Sequence, residues 1–208
     1  MNKEIDLKDS IISEIEYAIG VFLNDNSKAI KNNEDSKLTK ADINKSIKNI
    51  RVNHTGEICA QALYRGQALF TSDKKIKMKL YEMCNEEHGH LDLCNQRLKE
   101  LKGYQSIFNP VWYSASFCLG VVAGLNEDKW KLGFIEETEK QVEEHLTIFA
   151  NKLPINDKRS KKILNKIAQD EKKHRHTANN IGSEELPSHV KKGMDIFSKI
   201  MKKLSYYI

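Results

Sequence analysis

Two short stretches hold the residues best suited to chemistry. Residues 85–90 read N-E-E-H-G-H and residues 169–176 read Q-D-E-K-K-H-R-H. In each, a glutamate and a histidine stand at i and i+3: Glu87 with His90, and Glu171 with His174. On a helix that spacing puts both side chains on one face, where they can converge on one ion. Glu86 meets only Gly89 at the same interval, and His88 points about 100° away from Glu87 on a helix with 3.6 residues per turn. Glu86 and His88 are therefore expected in outer or surface positions. Both motifs also carry an acid just before the glutamate and a spare histidine nearby.

A lone Glu-x-x-His arises by chance in any charged helix, so the duplication is what matters. Glu57 precedes Glu87 by 30 residues, and Glu139 precedes Glu171 by 32. Each half thus reads helix(Glu), turn, helix(Glu-x-x-His). One glutamate from each of two helices, plus Glu-x-x-His from each of two others, is the ligand set of di-iron and di-manganese carboxylate bundles. The four carboxylates carry four negative charges, which two divalent ions neutralise; without cations the site would bury repelling charges. Oxygen and imidazole donors without thiolate suit iron or manganese better than copper or structural zinc. Glu87 and Glu171 are expected to bridge the two ions and Glu57 and Glu139 to be terminal, which leaves coordination positions open to dioxygen. Apolar neighbours (Ile58, Ala60 and Ala62 around Glu57; Phe134, Ile135 and Val142 around Glu139) favour burial over a solvated salt-bridge face.

The elements that must position these residues are all helical. The spacing of Ile11, Ile15, Ala18 and Phe22 predicts an amphipathic helix over residues 10–24, and the polar stretch 25–46 reads as an exposed connector. Helices follow over about 47–71 and 74–102, the second closed by Gly103 as a C-cap. Asn109-Pro110 opens an apolar helix to about 125, and further helices cover about 127–152 and 156–180. No alternating strand pattern is present. The fold class expected is all-α, a four-helix bundle of two pseudo-repeated helix pairs with extra N-terminal, central apolar and C-terminal amphipathic helices. Residues 1–46 form an N-terminal helix and linker in this reading, and 47–208 form the bundle domain.

Composition narrows the rest. The chain of 208 residues has 10 glycines and 3 prolines, few breakers for a helical protein, and a net charge of +5 that an anionic membrane or nucleic acid would tolerate without either being required. Cys59, Cys84, Cys94 and Cys118 form no C-x-x-C pair and are expected as reduced, packed thiols. The N-terminus shows no apolar signal region. Pro110 and interspersed polar residues leave the 107–125 run too short to span a bilayer; it suits a buried central helix or one dipping into a single leaflet. In the tail 186–208, Val190, Met194, Phe197, Met201, Leu204 and Ile208 form an apolar stripe with lysines on the other faces. Such a helix docks on the bundle or rests on a membrane surface.

Four blocks resemble the bacterial Coq7 family, the demethoxyubiquinol hydroxylases of ubiquinone biosynthesis. They are R-V-N-H-T-G-E-I-C-A-Q-A-L-Y-R-G-Q-A-L (51–69), N-P-V-W-Y (109–113), L-G-F-I-E-E-T-E-K-Q-V-E-E-H-L (132–146) and E-L-P (185–187). The resemblance runs from about residue 45 onward. It implies a ferritin-like di-iron monooxygenase, with two Fe ions per chain, held peripherally on the cytoplasmic face of the inner membrane. It would use O2 to hydroxylate the ring of a polyprenylated quinol, the step before the last O-methylation. The family's iron ligands fall on Glu57, Glu87, His90, Glu139, Glu171 and His174. Family members often place Asp before the first motif's histidine, where this chain has Gly89; Glu86 or a water is expected to replace that partner.

Other residues invite two readings. His145, six residues after Glu139, orients a ligand or relays protons and electrons, or is a bundle histidine. Tyr64 shares the face of Glu57 and contacts ligand or substrate, or is core. His54 is expected to cap the turn before the ligand helix, and Arg51 to neutralise acids. No Gly-rich nucleotide loop is present, so electrons come from outside, from the quinol or NADH. Ubiquinone-biosynthesis proteins and the membrane surface are the expected partners, and nucleic acid is not. Three rivals remain open: a ferroxidase or iron-storage subunit, which needs an acidic surface; a tRNA hydroxylase, which needs basic residues at the site mouth; and a vestigial quinone-binding module, which six intact ligands disfavour.

Overall fold

A computed structural model describes residues 7–23 and 36–208, and every regular element among them is helical. In chain order these are α1 (Leu7–Leu23), α2 (Lys40–Phe70), α3 (Lys74–Glu100), α4 (Asn109–Gly124), α5 (Asp128–Lys152), α6 (Lys158–Ile181) and α7 (Ser188–Tyr207). The expected connector falls outside the described residues over 25–35, and from Lys40 onward it is helix. α2 starts two turns earlier than about 47 because Thr39 and Asp42 form a capping box: the Thr39 hydroxyl accepts from Asp42 N and the Asp42 carboxylate from Thr39 N, both at 3.1 Å.

Short, capped turns set the bundle. Asp73 accepts from the amides of Lys75 and Ile76, which starts α3 straight after α2. α3 ends in a Schellman turn: Lys102 N donates to Lys99 O and Gly103 N to Leu98 O. The left-handed residue is Lys102 (φ 57°), not the expected Gly103; a Cβ on Gly103 would press on Ile47. α2 and α3 pack as one antiparallel pair and α5 and α6 as another; α3 faces α6 and α2 faces α5, so α6 lies diagonally across from α2.

α4 lies along the outside of α2 instead of in the bundle centre. Gly66 of α2 and Gly120 of α4 make that approach close, since a Cβ on either would strike the other helix's main-chain carbonyls. Trp112, Tyr113 and Ser116 face inward, while Val111, Val122 and Leu125 face out. α7 crosses α2 and α5, its Phe197 set edge-on to Trp112. Val190 and Met194 pack on the core and Met201 is buried, but Leu204 and Ile208 at the end of the stripe are exposed beside Ile196 and Ile200. Among the described residues no helix is long and apolar enough to cross a membrane.

The apolar stripe expected on α1 is split. Ala18 and Phe22 pack inward, but Ile11 and Ile15 are exposed with Ile12 and Ile19. Buried Glu14 fixes the helix: Arg65 of α2 donates to both its oxygens, at 2.5 and 3.0 Å, and stacks on Tyr17 at 3.7 Å. Of the cysteines, Cys84 and Cys94 are buried as expected, but Cys118 is exposed.

Two apolar clusters fill the bundle. One gathers Tyr64, Leu80, Met83 and Ile135, the other Ile50, Leu98, Leu146 and Ile167. Along all four bundle helices the interval between them is occupied by acids and histidines.

Candidate metal centre

Glu57 comes from α2, Glu87 and His90 from α3, Glu139 from α5, and Glu171 and His174 from α6, all almost fully buried. They converge as two four-residue groups whose donor atoms lie within 4.8 Å of one another: Glu57, Glu87, His90 and Glu171; and Glu87, Glu139, Glu171 and His174. Glu87 and Glu171 belong to both. His90 Nδ1 is 3.1 Å from Glu87, 3.3 Å from Glu171 and 3.8 Å from Glu57. His174 Nδ1 repeats the arrangement, 3.1 Å from Glu171, 3.5 Å from Glu87 and 3.9 Å from Glu139. A pseudo-twofold thus relates the halves, as antiparallel packing of two equal helix pairs requires.

The electrostatics are those of a cage built for cations. Burial, and then the neighbouring Glu87 carboxylate, push the Glu57 carboxyl well above the usual range; burial and the Glu171 charge do the same to Glu139. Burial alone would also raise Glu171 and lower both imidazoles. Hydrogen bonds from His174 and His90 instead hold Glu171 below the carboxylate range. Their counterparts from Glu171 and Glu87 carry His90 up to about 11 and His174 up to about 12. Even so, Oε1 of Glu87 and Oε1 of Glu139 are buried without a hydrogen-bond partner. Four carboxylates, two of them with an orphaned oxygen, and two imidazoles make a donor set that could hold metal ions, and Glu87 and Glu171 belong to both groups.

Residues 44–205 match the family described as ubiquinone biosynthesis protein COQ7. The chain belongs to that family. It is 51% identical to the 3-demethoxyubiquinol 3-hydroxylase of Acinetobacter baylyi over 76% of this chain and 75% of the relative. A relative of the same description from Coxiella burnetii is 46% identical over 82% and 80%, and one from an Azoarcus species 43% identical over 76% and 77%. All six cluster residues lie inside the COQ7-matched stretch, whereas α1 precedes it.

Outside the six, a crossed pair of braces appears. His90 Nε2 is 3.4 Å from Asp170 of α6, and His174 Nε2 is 2.5 Å from Glu86 of α3. The partner expected for His90 was Glu86 or a water; instead each histidine is held by the acid preceding the other helix's cluster glutamate. Acid-before-glutamate was the visible signal, but the crossing depends on antiparallel α3 and α6. Outer carboxylates of this kind fix the tautomer and raise the basicity of a metal-binding imidazole.

The remaining single residues settle elsewhere. Tyr64 is fully buried in the apolar cluster, its hydroxyl without a partner. His145 lies against Phe149, ring centroids 4.0 Å apart, and burial followed by Lys202 and Lys152 lowers it to about 3. His54 is in mid-helix, not at a turn, with Asn109 Nδ2 at 3.5 Å from its Nδ1. Arg51 donates to the Tyr104 carbonyl. On the Glu57 and Glu139 side an apolar cavity of about 110 Å³ lies between α2, α4, α5 and α7, lined by Gly56, Leu63, Thr138, Met194 and Phe197 among others.

Proposed function

We propose that this chain holds two iron ions between Glu57, Glu87, His90, Glu139, Glu171 and His174 and uses O2 to hydroxylate the ring of 3-demethoxyubiquinol. The observation that carries the reading is the pair of donor groups sharing Glu87 and Glu171 in a chain of the COQ7 family. Two ferrous ions held in that cage would supply the electrons that activate O2. The protein supplies the rest. Glu87 and Glu171 keep the ions close, while Asp170 and Glu86 keep both imidazoles aimed inward. Overall, one oxygen atom enters the ring C–H, and the other leaves as water with two electrons and two protons from outside.

The apolar cavity beside Gly56 and Thr138 is the place for the quinol ring. At about 110 Å³ it is smaller than the roughly 300–1,000 Å³ of usual small-molecule sites, so α7 moves outward when substrate enters. The prenyl tail then leaves between α4 and α7. Their outward residues Val111, Val122, Ile196 and Ile200 support a peripheral seat on the membrane that stores such a lipid, on its cytoplasmic face.

Purified chain is expected to bind two irons and to convert demethoxyubiquinol to its hydroxylated product, and Glu171→Ala to lose both properties. Normal turnover by that variant would sink the proposal.

A further inference from the structure

α6 carries eight basic residues and two acidic ones, a net charge of +6, while the entire chain carries +5. The rest of the chain therefore sums to −1, and the next most basic element, α7, carries +4. The two acids, Asp170 and Glu171, are already used at the cluster. Lys158, Lys161, Lys162 and Lys172 are exposed and have no acidic group within ion-pair distance among the described residues. Three of these lie in the first two turns, where the helix dipole disfavours positive charge, and the acid at that end, the N-cap Asp157, is engaged by Arg97. Local stability does not account for that placement.

The position of the ridge matters as much as its sign. α6 is diagonal to α2, so its outer face looks away from α4 and from the apolar residues proposed to meet lipid. No large hydrophobic side chain of α6 is exposed among the described residues, which argues against a bilayer as its partner. No phenylalanine, tyrosine or tryptophan stands on α6 to stack a base, which argues against RNA. From Lys158 to Lys173 it extends about 22 Å at 1.5 Å per residue, too long for a single phosphate group to engage. At its inner end Lys166 and Lys173 both contact Asp170, which in turn touches His90. The ridge ends one side chain from the cluster.

We infer that the outer face of α6 is the docking surface for an acidic, one-electron carrier protein that delivers the two electrons of each turnover. The inference rests on the hydroxylase reading, which requires those electrons and finds no source for them in the chain. Two encounters each oxidise one carrier by one electron; together with two protons, the electrons leave in the water formed from O2. A charged, non-hydrophobic contact suits such a shuttle, because it speeds encounter without a large buried area that slows release.

The probe is a reduced plant-type [2Fe–2S] ferredoxin, an acidic one-electron protein. Calorimetry on the metal-free chain should show binding that weakens about tenfold or more between roughly 20 and 200 mM salt. The triple variant Lys158→Glu/Lys161→Glu/Lys162→Glu, whose new charges suit the helix dipole, should weaken binding and slow stopped-flow reduction of the oxidised iron centre, each by about tenfold or more. The same reversal at Lys192, Lys199 and Lys203 of α7 should change either by less than about twofold. Absence of binding, equal losses from both triple variants, or saturable reduction by a nicotinamide dinucleotide that the α6 variant abolishes would each overturn the inference. Hydroxylation by wild-type chain driven by dithionite and a small uncharged mediator separates the two readings: if it fails, the hydroxylase reading itself has failed.

Discussion

The molecule buries two ionic clusters, and they are built on opposite terms. Where α3 ends against the start of α6, Arg97 is fully buried and every direction of its guanidinium is met. It donates to Asp157 at 2.8 Å, to Ser160 at 2.8 Å and to Glu100 at 3.1 Å, and Arg159 closes on Glu100 from outside. Asp157 also caps α6 through Ser160 N. Two turns and more along the same two helices, Glu87, His90, Glu171 and His174 are equally buried, but with Glu57 and Glu139 they set four carboxylates against two imidazoles; Oε1 of Glu87 and of Glu139 lack a hydrogen-bond partner, as does Oδ2 of Asp157 in the first cluster. The first cluster holds cation and anion from the chain itself. The second has more carboxylates than imidazoles, a donor set that could hold metal ions. Burial of charge alone does not mark a functional site; a surplus of buried carboxylates over the cations the chain supplies is the better pointer.

Four experiments set the clusters against each other. Glu171→Ala has the largest expected effect: both metals and all hydroxylation are lost, read by metal analysis and product formation, with circular dichroism showing that the variant is still helical. Arg97→Ala should do the reverse. It leaves buried Asp157 and Glu100 uncompensated and costs about 3–5 kcal/mol in urea unfolding, with the folded fraction still binding two metals. Asp170→Asn and Glu86→Gln, measured by competition with a chelator, should each weaken metal affinity by about 10–100-fold, or about 1.4–2.7 kcal/mol. Should either leave affinity unchanged, the crossed braces are only surface pairs.

The smallest effect is a pH dependence with opposite signs in the two states. In the metal-free chain the raised His90 and His174 keep protons that the unfolded chain releases near 6.5, so their contribution is complete below that pH and is lost as pH climbs towards about 11 and 12. Glu57 and Glu139, also raised, act in the same direction from the acid side upward. Only Glu171, held low, contributes stability that is lost on acidification. Metal-free chain should therefore unfold more easily at pH 8.5 than at 6.5, by about 1.4 kcal/mol or more. Metal binding, which displaces those protons, should tighten over the same interval.

How much of this was legible in the chain follows from what spacing encodes. The i, i+3 pairs and their near-equal distance from Glu57 and Glu139 needed only helix geometry, so the six converging residues could be read directly. Periodicity shows which residues share a face but not which face turns inward. On α1 that was decided by Arg65 on another helix, and Ile11 and Ile15 went outward. The partners of His90 and His174 were hidden likewise, since Asp170 and Glu86 reach them only across the α3–α6 interface. The start of α2 was written in Thr39 and Asp42 but lay inside a polar stretch that resembled a linker. Length and hydropathy ruled out a spanning α4, yet nothing local showed that Gly66 and Gly120 would draw it to the outside of α2.

The apolar clusters on either side of the acid and histidine layer bear on how the protein matures. Each half of the bundle can condense around its own core, with protons standing in at His90 and His174 until ions arrive. Assembly of the chain and its loading are then separate events. On the proposed reading the cage would take whichever suitable divalent ion the cell supplies after folding, so the choice of metal would fall to cellular supply and delivery as well as to the ligands.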